Sequence, residues 1–504
     1  MTINKRDLKI ILIVIILAAA LRVYFLDDKF YGDEIDLVGP ARHYLIDGDL
    51  VNYNSCGTAI YNFAHPPVKL ITYVLWAQMF GFSEISMRMI PFLFGLLTVA
   101  FTYIFGKKLF GERAGIAAAV LMAVGRYHIH ASHVIATDSG ILIFSALMSL
   151  FCFYMYKEKS RKIYLAASFA FFFVAIMTKF SAVTLIFPMY ILSFLYYRKS
   201  FREDFIYITG FLLASFAVLF AVANIAGAPQ YFYGPVNFAL KTAGNPYTLG
   251  EFMHDKAFKI ATMTWQATPF LAVLVLLALL HLKRDKNTVF VTSWLLVTFF
   301  VVFVPYGTDT QRNFFIALPA VFLLAGKYIS DIKIDFRKLA LAAIIPTVYY
   351  LAAGVTDFSG YYNPIIMVPL FALPFAYLLL KPNDRKIFLV GGMLAMTLFI
   401  FIGNNYTSTV NSNLVGELAD KTLEMGINYT DVATTKDIAV YLTPSDKVVY
   451  VCEVDPARYK ESNLPNIVLF YPSGESFLES LNCSEDSYYA HMYGHLIGIV
   501  CERT

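Results

Sequence analysis

The stretch LKIILIVIILAAALRVYFLDDKFYGDE, residues 8–34, decides the fold of this 504-residue chain. Its apolar part, Leu8–Leu26, is long enough to cross a bilayer, whose hydrocarbon core needs about 20 helical residues. Asp33 and Glu34 follow shortly after this apolar part. A charge at membrane depth is costly, about 2.5–3.5 kcal/mol at a helix centre. Two acids kept at a membrane edge therefore indicate chemistry or ion handling.

The composition of the whole chain is that of a membrane protein. It is 58% hydrophobic and 15% charged, whereas soluble domains carry about 25% charged residues. The mean hydropathy is +0.60. Long, nearly charge-free runs recur and exclude a soluble enzyme with one large core; they include Ser139–Tyr156, Phe205–Ala226, Thr288–Pro305 and Ile387–Ile402. Leu8–Leu26 could instead be a cleaved signal peptide, but it is long, and the topology below retains it.

Clusters of Lys and Arg between the apolar segments predict the topology, because cytoplasmic loops collect these residues. The clusters are Lys5-Arg6, Lys107-Lys108, Lys157–Lys162, Arg198–Arg202, Lys283–Lys286, Lys333–Lys338 and Lys381–Lys386. One arrangement places all of them inside, with about thirteen transmembrane helices and the N-terminus in the cytoplasm. Its spans are 8–26, 86–106, 113–126, 139–156, 163–177, 181–197, 205–226, 259–281, 288–305, 314–329, 339–354, 364–380 and 387–403.

Two segments could be counted differently. A span at Pro66–Phe82 would move every later basic cluster outside, so this segment is predicted to be an amphipathic helix on the outer surface. Tyr164–Tyr197 as one helix would be about 50 Å long, too long for a hydrocarbon core of about 30 Å. It is therefore predicted to be two spans that turn at Thr178-Lys179.

This topology gives an all-α polytopic membrane domain, residues 1–403, and a separate module, residues 404–504. The first extracytoplasmic loop, 27–85, would carry surface helices. The tail holds fourteen Asp and Glu against six Lys and Arg, which marks a change of domain. Short β-like runs at Lys447–Cys452 and Asn466–Phe470 predict a small extracytoplasmic α/β domain. A disulfide among Cys452, Cys483, Cys501 and Cys56 of the first loop stays open.

Charged residues outside the basic clusters collect on the predicted outer side. They are Asp33, Glu34, Asp36, His65, Lys69, Arg88, Arg126, His128, His130, His133, Asp138, Lys179, Asp309 and Arg312. Cations at a membrane edge suit a lipid phosphate headgroup whose tail stays in the bilayer. Carboxylates suit deprotonation of a hydroxyl or stabilisation of a sugar cation. A site with both would handle a lipid-phosphate sugar and an acceptor hydroxyl.

Each of these residues also has an ordinary structural interpretation. Asp33 and Glu34 could be solvated loop charges, and Lys69, Arg88 and Lys179 could be side chains that snorkel from helix ends. Asp138 could cap the helix that follows it. The three histidines at 128, 130 and 133 match no recognised metal signature and are interpreted as interfacial. No metal site is predicted, although a divalent metal stays open.

Five motifs occur in an order that resembles the polyprenyl-phosphate-dependent glycosyltransferases of the GT-C fold. Within that fold they are most similar to the protein O-mannosyltransferase and aminoarabinose-transferase group. The motifs are Asp33-Glu34 after the first span, His65-Pro66-Pro67-Val68-Lys69, Arg88 with Phe110-Gly111-Glu112-Arg113-Ala114, Thr137-Asp138, and Thr178-Lys179 followed by Arg312-Asn313-Phe314 and Pro319. The resemblance covers about residues 8–330.

The resemblance implies an inverting transfer of mannose or another hexose or pentose from a polyprenyl or dolichyl monophosphate. Asp33 would be the general base, and Glu34 and Asp138 would position the acceptor or the base. The lipid phosphate would be held by Lys69, Arg126, Lys179 and Arg312, with His65 and Arg88 in support. The chain lacks the inserted domain of eukaryotic protein mannosyltransferases, so protein, glycan and lipid acceptors all stay open. Membrane lipids are expected partners, and nucleic acid is not.

Two other classes of function are compatible with a polytopic chain. A secondary transporter could use Asp33, Glu34 and Asp138 as an ion relay. Transporters usually place ionisable residues mid-span and show internal repeats, whereas these acids lie in loops on one side. A non-catalytic scaffold could present the acidic tail, and it would depend on Gly403–Thr504 rather than on Asp33.

Overall fold

The computed structural model describes residues 4–30, 34–48, 52–53, 59–60, 66–225, 269–281, 283–303, 311–333, 335–352 and 380–403, most of 415–425, a few positions between 229 and 236, and five strands between 432 and 502. Asp33, His65, Asp309, residues 364–379 of the predicted span 364–380, Cys56, Cys452 and Cys483 lie outside the described residues. Of Asp36, Arg312 and Cys501, the backbone alone is described.

The described part of the chain is mainly helical. In chain order the α-helices are α1 (Lys5–Ala20), α2 (Ile35–Asp47), α3 (Val68–Phe80), α4 (Glu84–Phe110), α5 (Glu112–Val124), α6 (Arg126–Ala131), α7 (Gly140–Lys159), α8 (Lys162–Ile176), α9 (Ile186–Tyr196), α10 (Phe201–Ile225), α11 (Pro269–His281), α12 (Lys286–Val297), α13 (Leu318–Ile329), α14 (Phe336–Ala352) and α15 (Pro382–Gly403). Shorter 3-10 helices cover Val23–Phe25, Phe180–Leu185, Arg198–Ser200 and Gln311–Ala317, and a π-helix covers Thr298–Phe303.

Three helices among the described residues are long and apolar enough to cross a membrane by length and composition. They are Glu84–Phe110, Gly140–Lys159 and Arg198–Ile225. Shorter apolar helices of 10–17 residues include Lys162–Ile176, Phe180–Tyr196 and Phe314–Ile329. The total of about thirteen spans stays a prediction.

Two of these three long apolar helices differ in the share of their residues that the protein buries. Along the most apolar window of α7, 89% of the residues are buried inside the protein, whereas in Arg198–Ile225 the share is 17%. Both segments are apolar all round, so α10 presents to its surroundings a face that water would not solvate favourably. Such an exposed apolar helix fits a lipid environment.

The chain forms two compact units. The first comprises Met1–Tyr24, Phe63–Val68 and Met89–Asn405. Its helices approach closely where small residues meet: a Cβ on Gly326 of α13 would lie 2.5 Å from the Ala118 nitrogen of α5. A Cβ on Gly115 of α5 would lie 2.7 Å from the Tyr103 carbonyl oxygen of α4. Larger side chains at these two glycines would push α5 away from its neighbours.

The predicted break in Tyr164–Tyr197 is present in this first unit. Helix α8 ends at Ile176, and the chain continues through Met177–Lys179 into the 3-10 helix Phe180–Leu185 and α9. Thr178 donates from its hydroxyl to the Val174 carbonyl at 2.7 Å, which satisfies one of the last carbonyls of α8. The break places Lys179 between two helices.

The second unit comprises Phe25–Asn62, Lys69–Arg88 and Tyr406–Thr504. It holds α2, most of α3, an antiparallel pair β1 (Asn52–Tyr53) and β2 (Ala59–Ile60), and a five-stranded sheet. The sheet strands are β3 (Val432–Thr434), β4 (Val449–Tyr450), β5 (Asn466–Phe470), β6 (Tyr488–Met492) and β7 (His495–Glu502), in the order β4-β3-β5-β7-β6. Pairing is parallel on both sides of β3 and antiparallel on both sides of β7.

Helix α3, which the sequence analysis places on the outer surface, has two different faces. Its residues Lys69, Leu70, Tyr73, Val74 and Ala77 are buried, whereas Ile71, Leu75 and Met79 are about half or more exposed. The exposed residues recur every four positions, as one face of a helix does. Its predicted place at the membrane surface stays a prediction.

Candidate active site

The predicted site residues that the structure describes form two groups, one in each unit. In the second unit, Glu34 and Arg88 make a buried ion pair: the two Arg88 Nη atoms donate to the two Glu34 carboxylate oxygens at 2.5 and 2.9 Å. Both side chains are 2% exposed. This two-point geometry is the strongest form of such a pair. Loss of one partner would leave the other buried and charged, which typically costs about 3–5 kcal/mol.

Arg88 also holds the chain that precedes Glu34. Its guanidinium donates to the Asp28 carbonyl at 3.1 and 3.2 Å and to the Lys29 carbonyl at 3.0 Å. The Phe30 ring centroid lies 5.4 Å from its Cζ. A single side chain therefore fixes the backbone at residues 28 and 29 and the side chain of residue 34, on the two sides of Asp33 in sequence.

Local sequence explains how Arg88 comes to be placed. Gly81, at φ +79°, adopts the left-handed conformation that ends α3, and the Ser83 hydroxyl accepts from the Ser86 N–H at 3.2 Å at the start of α4. Trp76 of α3 donates from its indole N–H to the Ser86 carbonyl at 2.8 Å. Arg88 follows in the next turn, so these contacts determine where its guanidinium points.

Lys69 and Tyr73 lie one turn apart on the buried face of α3. They are 1% and 0% exposed, and the Lys69 Nζ lies 5.8 Å from the Tyr73 ring centroid. The Tyr73 hydroxyl is buried and has no hydrogen-bond partner among the described residues. Burial raises the pKa of Tyr73, and the nearby Glu34 carboxylate raises it further, so the phenol remains protonated.

In the first unit, Asp138 and Lys179 form an ion pair through the Asp138 Oδ1 and the Lys179 Nζ. Their side chains are 8% and 16% exposed, so the pair is mostly but not wholly buried. Asp138 immediately precedes Ser139, the N-cap residue of α7, and Ser139 makes no side-chain cap. The turn after α8 supplies Lys179. An acid and a base from two helix ends thus meet 41 residues apart in sequence.

A second polar contact in this unit joins Arg22 to His128. The Arg22 guanidinium is fully buried and lies 2.8 Å from the His128 Nδ1; it also donates to the carbonyls of Ala18 at 2.8 Å and Ala123 at 2.9 Å. Burial, and then the Arg22 charge, lower the pKa of His128 well below its usual value. His128 is therefore neutral at physiological pH, and its Nδ1 accepts from Arg22.

The elements that carry the remaining two predicted phosphate ligands contact each other. Arg126 begins α6, and Arg312 lies in the 3-10 helix Gln311–Ala317. Phe315 of that helix packs against Tyr127 and His130, with ring centroids 5.7 and 5.9 Å apart. The structure thus places both cations on neighbouring elements of one unit.

The structure does not agree with the interpretation of Lys69 and Arg88 as snorkelling side chains or of Asp138 as a helix cap. Lys69 and Arg88 are buried inside the protein rather than extended to its surface, and Asp138 binds Lys179 rather than capping α7. His128 and His133 are buried inside the protein at 1% and 0% exposure, and their predicted place at the membrane interface stays a prediction. Within the described residues, no group of three or more His, Cys, Asp or Glu side chains could hold a metal ion.

Two residues of these groups were missed in the sequence analysis. Arg22 had a visible signal, since it is a charge inside the apolar segment Leu8–Leu26, where charged residues are costly and usually functional or paired. Tyr73 had none, because a tyrosine in an apolar helix resembles its neighbours. Its unusual property, a buried hydroxyl without a described partner, depends on the fold.

Comparisons with known proteins bear on the family and the fold. Residues 64–223 match the family described as "Dolichyl-phosphate-mannose-protein mannosyltransferase". No curated protein matches the chain in sequence. Among solved structures, the chain is similar to ArnT from Cupriavidus metallidurans in the apo state, with 15% identity and a TM-score of 0.60 over 98% of this chain and 97% of that chain. The same protein bound to undecaprenyl phosphate gives 16% identity and a TM-score of 0.61 over the same shares.

A third similar structure is the apo oligosaccharyltransferase of Archaeoglobus fulgidus, with 12% identity and a TM-score of 0.51 over 98% of this chain and 74% of that chain. At these identities the structural likeness shows the fold alone. The GT-C fold and the resemblance to the mannosyltransferase and aminoarabinose-transferase group are confirmed. The family match over residues 64–223 confirms the prediction of a glycosyltransferase. A membrane location agrees with the three long apolar helices among the described residues.

Proposed function

We propose that this chain transfers a sugar from a polyprenyl monophosphate to an acceptor hydroxyl, with inversion at the anomeric carbon and Asp33 as general base. The Asp33 carboxylate takes the proton of the hydroxyl, whose oxygen attacks the anomeric carbon. The bond from that carbon to the phosphate oxygen breaks, and the lipid monophosphate leaves with the bonding electrons. Each step needs a carboxylate on the acceptor side and cations around the leaving group.

The buried Glu34–Arg88 pair is the observation that carries this proposal. The Arg88 guanidinium donates to backbone carbonyls before Asp33 and to the carboxylate of Glu34, directly after it. Fixed positioning of a reacting group favours catalysis, since a small displacement of that group lowers the reaction rate by a large factor. We therefore assign Glu34 and Arg88 to positioning of Asp33 rather than to contact with the acceptor, and His65 to ordering of the Pro66-Pro67 turn.

The cations are assigned to the donor. Lys69, Arg126, Lys179 and Arg312 would hold the lipid phosphate, and Asp138 would orient the Lys179 ammonium that it binds. ArnT is a protein of the same fold solved with undecaprenyl phosphate, which supports a polyprenyl monophosphate as donor here. Mannose is the first sugar to test, because the matching family is described by dolichyl-phosphate-mannose.

Purified protein incubated with polyprenyl-phosphate sugars labelled in the sugar would test this function. Asp33→Asn should abolish transfer of label while the protein folds normally. Asp27→Asn removes an exposed acid from the same loop and serves as the matched control. Full activity of Asp33→Asn would refute the assignment of the base, and ion-coupled uptake by the wild type without transfer would favour the transporter.

The orientation is part of the proposal. The N-terminus would be cytoplasmic, with about thirteen spans in residues 1–403, and the active site and an α/β domain at 404–504 would lie outside the cytoplasm of the cell membrane. The basic clusters and the acidic tail support this arrangement. Single cysteines introduced at Lys5 and at Arg503 should react with a membrane-impermeant thiol reagent in intact cells at Arg503 and not at Lys5.

A further inference from the structure

The buried hydroxyl of Tyr73 has no role in the fold that the structure describes. The side chain is 0% exposed, and no described group accepts from or donates to its hydroxyl. Buried hydroxyls nearly always have a partner, because burial without one loses the hydrogen bonds that water would make. A phenylalanine would fill the same volume without that loss, so the hydroxyl calls for an explanation.

The groups around Tyr73 are those of the candidate active site. Lys69 lies one turn before it on the same buried face of α3, with its ammonium 5.8 Å from the tyrosine ring centroid. Glu34 lies near enough to perturb the phenol, and both oxygens of that carboxylate are already occupied by Arg88. Tyr73 therefore has a lysine near its ring, whereas the carboxylate of Glu34 already binds Arg88.

We propose that Tyr73 is a ligand-contacting residue whose hydroxyl donates a hydrogen bond to a phosphate oxygen of the lipid-linked donor. The inference rests on the proposed function and deepens it. Lys69 supplies the charge and Tyr73 a neutral, directional donor one helical turn away, so two donors on one rigid face address neighbouring oxygens of the same phosphate. The partner that Tyr73 lacks is then present when the donor or the released polyprenyl phosphate is bound.

Tyr73→Phe separates this proposal from a structural role. If the hydroxyl serves a ligand, the variant loses about tenfold to hundredfold in affinity for undecaprenyl phosphate, the range for a hydrogen bond to a charged group. Its melting temperature should stay equal or rise, because the substitution removes a buried polar group without a described partner. Tyr154→Phe is the matched control: the buried Tyr154 donates to the Asn287 Oδ1 at 2.9 Å, so its variant should lose stability and keep its affinity.

The measurement uses the full chain in detergent, with undecaprenyl phosphate as titrant and inorganic phosphate as competitor. Lys69→Gln reports on the phosphate site as a whole. Weak binding by both Lys69→Gln and Tyr73→Phe supports the proposal. Loss of binding in Lys69→Gln with wild-type binding in Tyr73→Phe overturns it and leaves the function standing. No binding by the wild type overturns the function and this inference together. If inorganic phosphate competes at equal concentration, the site does not select the lipid-linked phosphate, and the assignment of the lipid as its ligand is wrong.

Kinetics give a second criterion. A contact to the phosphate in the bound donor raises KM for the lipid-linked sugar, and one that strengthens as the phosphate leaves lowers kcat as well. An unchanged affinity for undecaprenyl phosphate together with a lower kcat would place the hydroxyl on the sugar or acceptor and would overturn its assignment to the phosphate.

Discussion

The two ends of helix α7 carry the same kind of ion pair in different surroundings. Asp138 precedes the helix and binds Lys179 with side chains that are 8% and 16% exposed. Lys157, in the last turn, binds Asp204 at 2.6 Å with side chains that are 4% and 0% exposed, and it also donates to the Ser200 hydroxyl at 2.6 Å. About 30 Å of helix separates the two ends. The first pair is the less enclosed of the two.

This difference distinguishes a candidate site from architecture. The Lys157 ammonium is enclosed by two acceptors and by the Tyr156 and Tyr197 rings, with centroids 5.3 and 4.9 Å away. The Lys157 ammonium thus has described partners on several sides, and its pair joins α7 to α10. The Asp138–Lys179 pair is less enclosed, and its ammonium is one of the cations that we propose for the donor phosphate. Residue type is the same at both ends, so the two pairs differ in burial and in their described partners.

The largest expected effect is on stability at the enclosed pair. Asp204→Asn leaves the Lys157 charge buried without its counter-ion, which should lower the free energy of unfolding by about 3–5 kcal/mol. Denaturant titration of the detergent-solubilised protein measures this loss. Asp384→Asn, which breaks the far more exposed pair with Lys338, should leave the unfolding transition unchanged.

A double replacement sharpens the same test. Lys157→Met with Asp204→Leu removes both charges and should recover much of the lost stability, since an apolar pair of similar volume avoids the desolvation penalty. A double variant that is no more stable than Asp204→Asn would contradict an electrostatic origin.

The next largest effect is on activity at the more open pair. Asp138→Asn should lower sugar transfer by about 100-fold or more, because Lys179 loses the carboxylate that orients it towards the phosphate. Its stability should fall by a smaller amount, about 1–2 kcal/mol, since the pair is partly solvated. Initial rates normalised to folded protein measure the first, and denaturant titration measures the second.

The comparison between the two ends fails if activity follows stability. If Asp138→Asn and Asp204→Asn lose sugar transfer only in proportion to the folded protein that each loses, Asp138 has a structural role as well. Lys179→Met should reproduce the kinetic loss of Asp138→Asn and add little to it in the double variant, because the two residues act as a unit.

The sequence was sufficient for features that depend on nearby residues. The break at Thr178-Lys179 followed from length. Pairings across long separations were not accessible. Glu34 and Arg88 are 54 residues apart, and Arg22 and His128 are 106 apart, so nothing in local periodicity relates them.

The histidines show why the rest could not be predicted. The interpretation of His128 as interfacial rests on the spacing of the three histidines, which matches no recognised metal signature. In the structure it is buried and accepts from a guanidinium that enters from the end of the first apolar segment. Burial of a polar side chain depends on a partner from elsewhere in the chain, and a single sequence does not reveal which residue that is.

A smaller effect is expected in the pH dependence of stability through His128. Its pKa is lowered in the folded protein, so the unfolded chain binds more protons as the pH falls below about 6.5. Stability should therefore be full above that pH and should fall by up to about 1.4 kcal/mol per pH unit below it. Melting temperatures between pH 7.5 and 5 measure the slope.

Matched substitutions identify the residue responsible. His128→Asn retains an acceptor for Arg22 and should flatten the pH dependence. His281→Asn, at an exposed position at the end of α11, should leave it as in the wild type. An unchanged slope in His128→Asn would assign the dependence to another group.

The smallest effect concerns a third Asp–Lys pair, Asp7 with Lys107, which extends the comparison to the start of α1. Asp7 is almost fully buried; it accepts from the Tyr103 hydroxyl at 2.6 Å and from the Asn4 N–H at 3.1 Å, and Lys107 is partly exposed. The hydrogen bond from Lys107, and then that from Tyr103, lower the pKa of Asp7 to about 2.

The stability that Asp7 contributes is full above its ordinary pKa of about 3.9 and is lost as the pH falls through about 2. Asp7→Asn should therefore lower the melting temperature by a constant amount between pH 5 and 8, and the difference from wild type should shrink below pH 4. Glu112→Gln removes the partner of the exposed Arg6 and should lower the melting temperature less than Asp7→Asn does. An equal loss in the two variants would show that the contacts of Asp7 with Tyr103 and the backbone add nothing to its ion pair.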